Sequence, residues 1–335
     1  MNAAPRALLA VTLDDILAAE TRIAGLVLRT PMVCDHLLSD RLGAPVKLKL
    51  EHRQTTGAFK LRGATNALLS LPPAVRARGV VTASTGNHGR ALAHAAREAG
   101  VRAVVCLSRL VPENKVTAVH ALGAEVRIVG DSQDDAMDAV ARAVRAEGLA
   151  EIAPFDDVAV IAGQGTLGLE IIDQYPSCTT VLVPLSGGGL AAGVAAAVKA
   201  RARGARVIGV CMQRGAAMAA SLAAGHPVAL REVPTLADSL GGGIGLANRF
   251  TFAMCAALLD QVVLVSEVEI AEAMRHVHAS VGDAIEGAAA VGVAALMAGK
   301  VVAEGPVVVV LTGANIDPAT HARIMAGVSP EEILR

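Results

Sequence analysis

Three short segments, each placed after an apolar run, carry residue types that bind and transform a small anionic molecule. Residues 186–190 (SGGGL) offer successive unhindered backbone amides at the start of a predicted helix, an arrangement that binds phosphate. Residues 84–89 (STGNHG) combine two hydroxyls, an amide side chain and another helix start, which together suit a carboxylate. The third segment, TTGAFKLRGA, places Lys60 directly after Phe59. The pattern indicates a reactive amine beside bound anions.

A lysine at a helix start is electrostatically unfavourable, because the first amides of a helix already carry about half a positive charge. The position of Lys60 therefore indicates a specific role. An amine near a phosphate site and a carboxylate site, with Phe59 available to lie against a flat ring, is the set of groups that pyridoxal phosphate requires. The helix dipole and partial burial should lower the pKa of the Lys60 amine and help it to move protons. The alternative is a solvated surface lysine.

Other interpretations of these segments stay open at this point. The spacing of glycines over residues 187–193 loosely resembles a dinucleotide-binding turn. However, the next predicted strand ends in Cys211 and Met212 rather than in the acidic residue that would bind a ribose. A tight strand-to-helix turn is the structural alternative. His88 is either a catalytic group or, more commonly for a histidine in a turn, a residue that only forms hydrogen bonds.

The elements that must position these residues alternate along the chain. Most strand candidates are continuous apolar runs, as expected of strands covered on both faces by helices. They lie at residues 45–50, 79–84, 102–108, 125–130, 180–185, 206–212, 262–266 and 306–313. Alanine-rich helix candidates lie between them, at residues 90–100, 132–148, 190–202 and 267–282. The chain is therefore predicted to be an α/β protein that binds ligands where strands end and helices begin.

Length, charge and hydropathy exclude several classes of protein. A chain of 335 residues exceeds the usual size of one core, and we expect two coupled domains. Its 30 Lys and Arg against 31 Asp and Glu give a net charge of -1, which argues against nucleic acid and anionic membrane as partners. No apolar segment reaches the ~20 residues of a membrane span.

The cysteines indicate a reducing compartment. There are five, far apart and without a C-x-x-C pair, namely Cys34, Cys106, Cys178, Cys211 and Cys255. An odd number with these spacings favours buried thiols over a disulfide framework. We therefore expect a soluble cytoplasmic protein.

Five motifs occur in one order along the chain: TTGAFKLRGA, ASTGNHG, IAGQGTLGLEI, PLSGGGLAAG and LTGANID. By these motifs the chain resembles the threonine/serine dehydratase and serine racemase family of fold-type II pyridoxal phosphate enzymes, from about residue 12 to residue 327. The resemblance implies a tryptophan synthase β-like fold of two open, twisted, mostly parallel sheets flanked by helices. Residues 1–75 and 156–335 would form the large cofactor-binding domain, and residues 76–155 the small substrate-side domain.

The resemblance also assigns roles to the motif residues. It makes Lys60 the cofactor-linked lysine and general base, and Phe59 a residue that packs on the cofactor ring. Asn87 would hydrogen-bond the pyridine hydroxyl, and Thr312 would place a hydroxyl against the pyridine nitrogen. The phosphate would be bound by Ser186, Gly187, Gly188, Gly189 and Leu190. The substrate would be bound by Ser84, Thr85, Gly86, Asn87 and His88.

Some positions depart from the family pattern or have weaker roles. Thr85 stands where racemases of the family carry a serine that acts on the opposite face, which makes it a candidate acid/base but puts racemisation in doubt. Cys211 replaces a glutamate that binds a divalent cation in metal-activated members, so we expect no metal there. Glu286 aligns with a glutamate near the cofactor in the family, and a carboxylate that stabilises a helix start is an equally good account. His276 and His278 lie two apart on a predicted helix and face different directions, so a shared metal is not expected.

The leading hypothesis is a pyridoxal-phosphate-dependent dehydratase that eliminates water from a β-hydroxy amino acid of the threonine or serine type, giving a 2-keto acid and ammonia. A hydroxyl rather than a carboxylate near the ring nitrogen favours elimination over transamination. The alternatives are a racemase or β-replacement enzyme on the same scaffold, a nicotinamide oxidoreductase, and a non-catalytic small-molecule binding protein.

The segment ADSLGGGIG (237–245) and the following ANRFTF are most similar to the hydroxyectoine-utilisation dehydratase branch. Asp238 could then meet a cationic group beyond the β-carbon of the substrate, or it could serve as a local cap. The resemblance further implies a homo-oligomer, a dimer in the family, and no C-terminal regulatory module.

Overall fold

The computed structural model describes residues 9–84, 86–111 and 113–335, without the side chains of Asn114 and Lys115. Within them, ten strands form two sheets. In chain order the strands are β1 (Met32–Cys34), β2 (Val46–Lys49), β3 (Val80–Thr82), β4 (Ala103–Leu107), β5 (Glu125–Ile128), β6 (Ala150–Glu151), β7 (Thr180–Pro184), β8 (Arg206–Met212), β9 (Gln261–Val265) and β10 (Val307–Val310).

The first sheet has six strands in the order β1-β2-β10-β7-β8-β9, and the second has four in the order β5-β4-β3-β6. Every pair is parallel except β1 with β2. β3, β4, β7 and β10 are buried along their whole length, as their continuous apolar sequences predict.

Helices cover the sheets. In chain order they are α1 (Leu13–Ile23), α2 (His36–Leu42), α3 (Lys60–Ser70), α4 (Pro73–Arg76), α5 (Asn87–Glu98), α6 (Glu113–Ala121), α7 (Gln133–Glu147), α8 (Val158–Gln174), α9 (Gly189–Arg201), α10 (Ala217–Ala224), α11 (Thr251–Leu258), α12 (Glu267–Val281), α13 (Gly287–Met297), α14 (Pro318–Met325) and α15 (Pro330–Ile333). Short 3-10 turns lie at Glu51–Arg53 and Asp238–Leu240.

The α/β prediction is confirmed, and each of the eight predicted strands is present. The sequence missed β1 and β6, because strands of three and two residues are too short to show a period. All four strands of the second sheet lie within residues 76–155. The division into two domains at those boundaries stays a prediction.

Glycines let three helices approach closely in the core of the protein. A Cβ on Gly163 of α8 would lie 2.7 Å from the Arg62 carbonyl oxygen in α3. On the other side of α8, a Cβ on Gly168 would lie 2.8 Å from the Val194 carbonyl oxygen in α9, and one on Gly193 would lie 2.4 Å from the Ile161 carbonyl oxygen. Backbone therefore packs directly on backbone in the helix row α3, α8 and α9.

Two further features concern the helices and the cysteines. In the described ranges, none of the helices combines the length and the apolar character needed to cross a membrane. All five cysteines are unpaired thiols, of which Cys34 is exposed and the other four are buried.

Candidate active site

A cavity of about 480 Å³ lies where segments that follow β2, β3, β7 and β10 meet. With one exception, every predicted site residue lines it: Phe59, Lys60, Ser84, Gly86, Asn87, His88, Ser186, Gly187, Gly188, Gly189, Leu190 and Thr312. The exception, Thr85, lies outside the described residues. Because β2, β7 and β10 belong to the first sheet and β3 to the second, the cavity lies at the carboxyl ends of parallel strands from both sheets, which brings together residues that are distant in the sequence.

Lys60 is the first residue of α3, and backbone pairing between two loops fixes its position. Phe59 N–H donates to the Thr312 carbonyl at 3.0 Å, and Ala314 N–H donates to the Gly57 carbonyl at 2.9 Å. The loops after β2 and β10 are therefore joined immediately before Lys60. Lys60 and Thr312 both line the cavity.

The Lys60 amine is poised for proton transfer. Its Nζ donates to the Pro154 carbonyl at 2.6 Å and lies 5.4 Å from the centroid of the Phe59 ring. Burial lowers the pKa of Lys60 to about 8, while the carboxylate of Glu286 acts in the opposite direction. Deprotonation near neutral pH is thus much easier than for a solvated lysine, as the sequence predicted.

The glycine turn ends β7 and begins α9. Gly188 has φ +90°, a conformation that side chains rarely adopt. A Cβ on Gly187 would lie 2.5 Å from the ring of Phe155, and one on Gly189 would lie 2.8 Å from the Phe155 carbonyl oxygen. The turn therefore tolerates no side chain at these positions, and its amides at the start of α9 line the cavity.

The start of α5 presents a second set of amides. Gly86 is the N-cap residue and provides no side-chain cap to the first helical N–H groups. Asn87 Nδ2 donates to Glu286 Oε1 at 2.9 Å, and Asn87 Oδ1 accepts from Asn315 Nδ2 at 2.6 Å. Asn315 also donates to the Thr56 carbonyl at 3.1 Å. The Asn87 amide is thereby held in one orientation.

His88 and Glu286 are buried ionisable groups in the cavity wall. His88 Nε2 lies 2.9 Å from the Ile152 carbonyl oxygen, and burial together with the nearby Lys60 charge lowers its pKa to about 3. Burial raises the pKa of Glu286 to about 7, with the carboxylate of Asp238 adding to the effect and the bond from Asn87 opposing it. His88 is therefore neutral in ordinary buffers, whereas Glu286 titrates near neutral pH.

Sequence reasoning missed a buried ionic network that supports α3. Arg62, two residues after Lys60, pairs with Glu51 at 2.8 Å and with Glu170 at 2.7 Å, and Glu170 also binds Lys49 at 2.6 Å. Arg62, Glu51 and Lys49 are almost fully buried. One feature of the sequence could have indicated this network. Lys49, Arg62 and Glu170 are charged residues with apolar neighbours, in the segments VKLKL, FKLRG and GLEII. The network fixes the first turn of α3 and with it the base of the Lys60 side chain.

Polar and acidic residues also line the cavity, namely Glu232, Asp238, Ser239 and Gln133, together with glycines 241–243. Asp238 begins the 3-10 turn Asp238–Leu240 and accepts the Ser239 N–H at 2.8 Å. The cap position of this turn is Ala237, which forms no side-chain cap bond, so Asp238 is not the cap residue.

Cys211, His276 and His278 are the residues that the sequence analysis considered as possible metal ligands. Cys211 is buried in β8, where burial raises the pKa of its thiol to about 12. His276 Nε2 lies 2.7 Å from Asp35 Oδ2, whereas the His278 ring packs edge-on against His321. Across the described parts of the chain, no group of three His, Cys, Asp or Glu is placed to hold a metal ion. The expectation of a metal-free site stays a prediction.

A family model described as pyridoxal-phosphate dependent enzyme matches residues 23–313. The chain belongs to the pyridoxal-phosphate dependent enzymes. This family membership gives the enzyme its cofactor, pyridoxal phosphate, and confirms the fold-type II α/β architecture predicted from the sequence.

Similarity to individual proteins shows to which branch of the pyridoxal-phosphate dependent enzymes the chain belongs. It is 59% identical to a Sinorhizobium fredii protein with a provisional threonine dehydratase name, over 95% of its own length and 96% of the relative. It is 38% identical to the catabolic L-threonine dehydratase of Escherichia coli (strain K12), over 94% and 96%. The solved structure of maize serine racemase matches with a TM-score of 0.89 and 32% identity, covering 95% of this chain and 98% of that one. The threonine/serine dehydratase and serine racemase family predicted from the five motifs is confirmed.

Proposed function

We propose that this enzyme is an ammonia-lyase that removes water from a β-hydroxy amino acid of the threonine or serine type. The observation that carries the proposal is the convergence on one cavity of the Lys60 amine, the amides of the glycine turn and the amides at the start of α5. The names of the relatives at 59% and 38% identity support dehydration as the reaction.

The residues present fit pyridoxal phosphate. The turn at residues 186–190 would hold the phosphate, because Gly188 at positive φ and the bare Gly187 and Gly189 leave backbone amides accessible at a helix start. Lys60 would hold the aldehyde carbon, and Phe59, Asn87 and Thr312 would contact the ring. When bound, the cofactor supplies an electron sink for the bond electrons released at the substrate α-carbon.

The chain's own groups account for binding and proton transfer. The uncapped amides of Gly86 and Asn87 at the start of α5 would bind the substrate carboxylate. Lys60 Nζ, whose pKa is lowered by burial, would take the α-proton. Loss of that proton and of the β-hydroxyl leaves water and an unsaturated amine, which hydrolyses to a 2-keto acid and ammonia. Thr312, a neutral partner, would leave the cofactor nitrogen without a fixed negative charge beside it.

Product analysis tests the reaction type. The purified enzyme with cofactor should release equal amounts of keto acid and ammonia from L-serine or L-threonine. Inversion of the α-carbon with the hydroxyl retained would instead identify a racemase, and incorporation of an added thiol would identify a β-replacement enzyme. Either of those as the main product contradicts the proposal.

A larger hydroxylated amino acid with a distal positive charge, as in the hydroxyectoine-utilisation branch, is our proposed preferred substrate. Glu232 and Asp238 are acidic residues that line the cavity, and they would interact with a positive charge beyond the β-carbon. We expect a higher kcat/KM for a hydroxylated diamino acid than for threonine. Asp238→Asn should lower kcat/KM for the cationic substrate about threefold, the effect of one partly solvated charge pair, with threonine as the unaffected control. Threonine as clearly the best substrate contradicts this preference.

The glycine turn yields a prediction about cofactor affinity. Gly187→Ala should weaken binding of pyridoxal phosphate at least tenfold, because the new methyl group would lie 2.5 Å from the Phe155 ring and must displace the turn. An absorbance titration of cofactor-free protein measures the change. Gly204→Ala is the matched control, since a Cβ there has open space and should leave the affinity unaltered. Equal affinity of both variants would contradict the assignment of the turn to the phosphate.

We further propose that the enzyme is a cytoplasmic homo-oligomer, with the dimer expected from the family resemblance. Five unpaired thiols support a reducing compartment. Light scattering coupled to size-exclusion chromatography measures the oligomeric state directly.

A further inference from the structure

Two buried acceptor atoms in the cavity wall have no hydrogen-bond partner among the residues that the structure describes. They are Gln164 Oε1 and His88 Nδ1, and both residues line the cavity that contains Lys60. Gln164 is 1% exposed and His88 is 2% exposed. A buried acceptor without a partner costs free energy, so each of these atoms calls for a donor.

His88 can only accept at its Nδ1. The Ile152 carbonyl oxygen, 2.9 Å from Nε2, has no proton to give, so Nε2 must carry the hydrogen. The ring is neutral, because burial and the nearby Lys60 charge lower its pKa to about 3. The remaining ring nitrogen, Nδ1, is therefore a lone-pair acceptor.

Gln164 lies against the helix turn that follows Lys60. A Cβ on Gly63 would lie only 2.4 Å from Gln164 Nε2, so the carboxamide rests directly on α3 at that glycine. Gly63 is three residues after Lys60, and residues at that spacing share a face of a helix. Gln164 belongs to the IAGQGTLGLEI motif, in which no residue has yet been given a role in the reaction.

The donor that these acceptors suit is the lysine itself. A lysine ammonium has three N–H donors. Lys60 Nζ uses one of them on the Pro154 carbonyl at 2.6 Å. Gln164 Oε1 and His88 Nδ1 are two further acceptors in the wall of the same cavity, and the Lys60 charge acts on the His88 ring.

We propose that Gln164 and His88, together with the Pro154 carbonyl, form a holding site for the Lys60 ammonium when the lysine is not joined to the cofactor. The proton that Lys60 takes from the substrate is then held on the ammonium until it leaves with the β-hydroxyl as water, because each N–H of the ammonium has an acceptor inside the cavity. Gln164 and His88 are positioning residues that act through Lys60. This role does not depend on which hydroxy amino acid is the substrate.

Competitive acetylation of the full-length, cofactor-free protein between pH 6 and 10, read by mass spectrometry, tests the proposal without requiring turnover. Gln164→Met keeps the length of the side chain and removes the acceptor. Because the acceptor stabilises the charged form, its loss should lower the pKa of Lys60 by about one unit, the effect of one charge-assisted hydrogen bond. Gln164→Glu should raise it, since a carboxylate favours the ammonium more strongly.

Gln133→Met is the matched control, because Gln133 lines the same cavity but its Nε2 donates to the Ala83 carbonyl at 3.1 Å. It should leave the pKa of Lys60 unchanged. After the cofactor is restored, the acidic limb of the kcat profile should move to lower pH in Gln164→Met by the same amount. If the pKa of Lys60 is unchanged in both Gln164 variants, or if Gln133→Met shifts this pKa by the same amount as Gln164→Met, the proposal is overturned.

Discussion

Replacing Lys60 with alanine is expected to lower kcat by about 10⁴-fold or more and to remove the yellow absorbance of the bound cofactor. The amine of Lys60 lies in the cavity, where it donates to the Pro154 carbonyl, and burial lowers its pKa to about 8, so no solvent base can take its place at the same position. Absorbance spectra and initial rates measure both effects. The fold should persist, because the variant removes a cationic end from a cavity rather than from the core.

Lys47→Ala is the control for this substitution. Lys47 lies in β2 and its ammonium stacks over the Tyr175 ring at 4.1 Å, away from the residues that line the cavity. That variant should keep its colour and its activity. If the Lys60 variant stayed yellow and borohydride fixed the cofactor to another lysine, the assignment of Lys60 would be wrong.

The buried network below α3 gives the largest expected change in stability. Arg62→Met should reduce the free energy of unfolding by about 3–5 kcal/mol, because Glu51 then keeps a buried charge without its main partner. Urea denaturation followed by circular dichroism measures the loss. Adding Glu51→Gln to this variant should recover part of it, since the unpaired charge is removed.

Arg102→Met is the matched control for the network. Arg102 also pairs with two carboxylates, Glu125 and Glu147, but its side chain is 44% exposed. Solvent screens such pairs, so its loss should cost less than about 1 kcal/mol. Similar losses for Arg62→Met and Arg102→Met would show that burial does not set the strength of the network.

Much of the fold and of the site could be predicted because the relevant signals are local. The apolar runs that became β7 and β10 stand out over five or six residues, and the glycine turn at residues 186–190 follows one of them directly. In a parallel α/β sheet the turns that follow the strands lie at the same edge. The proximity of Lys60 to the glycine turn could therefore be predicted from the topology.

The parts that sequence reasoning missed depend on contacts between distant positions. Arg62 and Glu170 are 108 residues apart, and Asn87 and Asn315 are 228 apart. No periodic pattern reports which charged residue will be buried or which amide will meet another. The same holds for Gln164. Its motif identified the family, but the sequence does not show that α8 packs against α3 and leaves the Gln164 side-chain oxygen without a partner among the described residues.

The direct backbone packing of α3, α8 and α9 has a consequence for the evolvability of the enzyme. α3 begins at Lys60 and α9 begins at Gly189, so one added methyl group at Gly163, Gly168 or Gly193 would move a catalytic or phosphate-binding end of a helix from a distance. Gly243 is different, because its nearest neighbour atom to an added Cβ lies 3.9 Å away. Laboratory selection for new substrates should therefore accumulate changes in the loop around Gly243 and leave the helix row invariant.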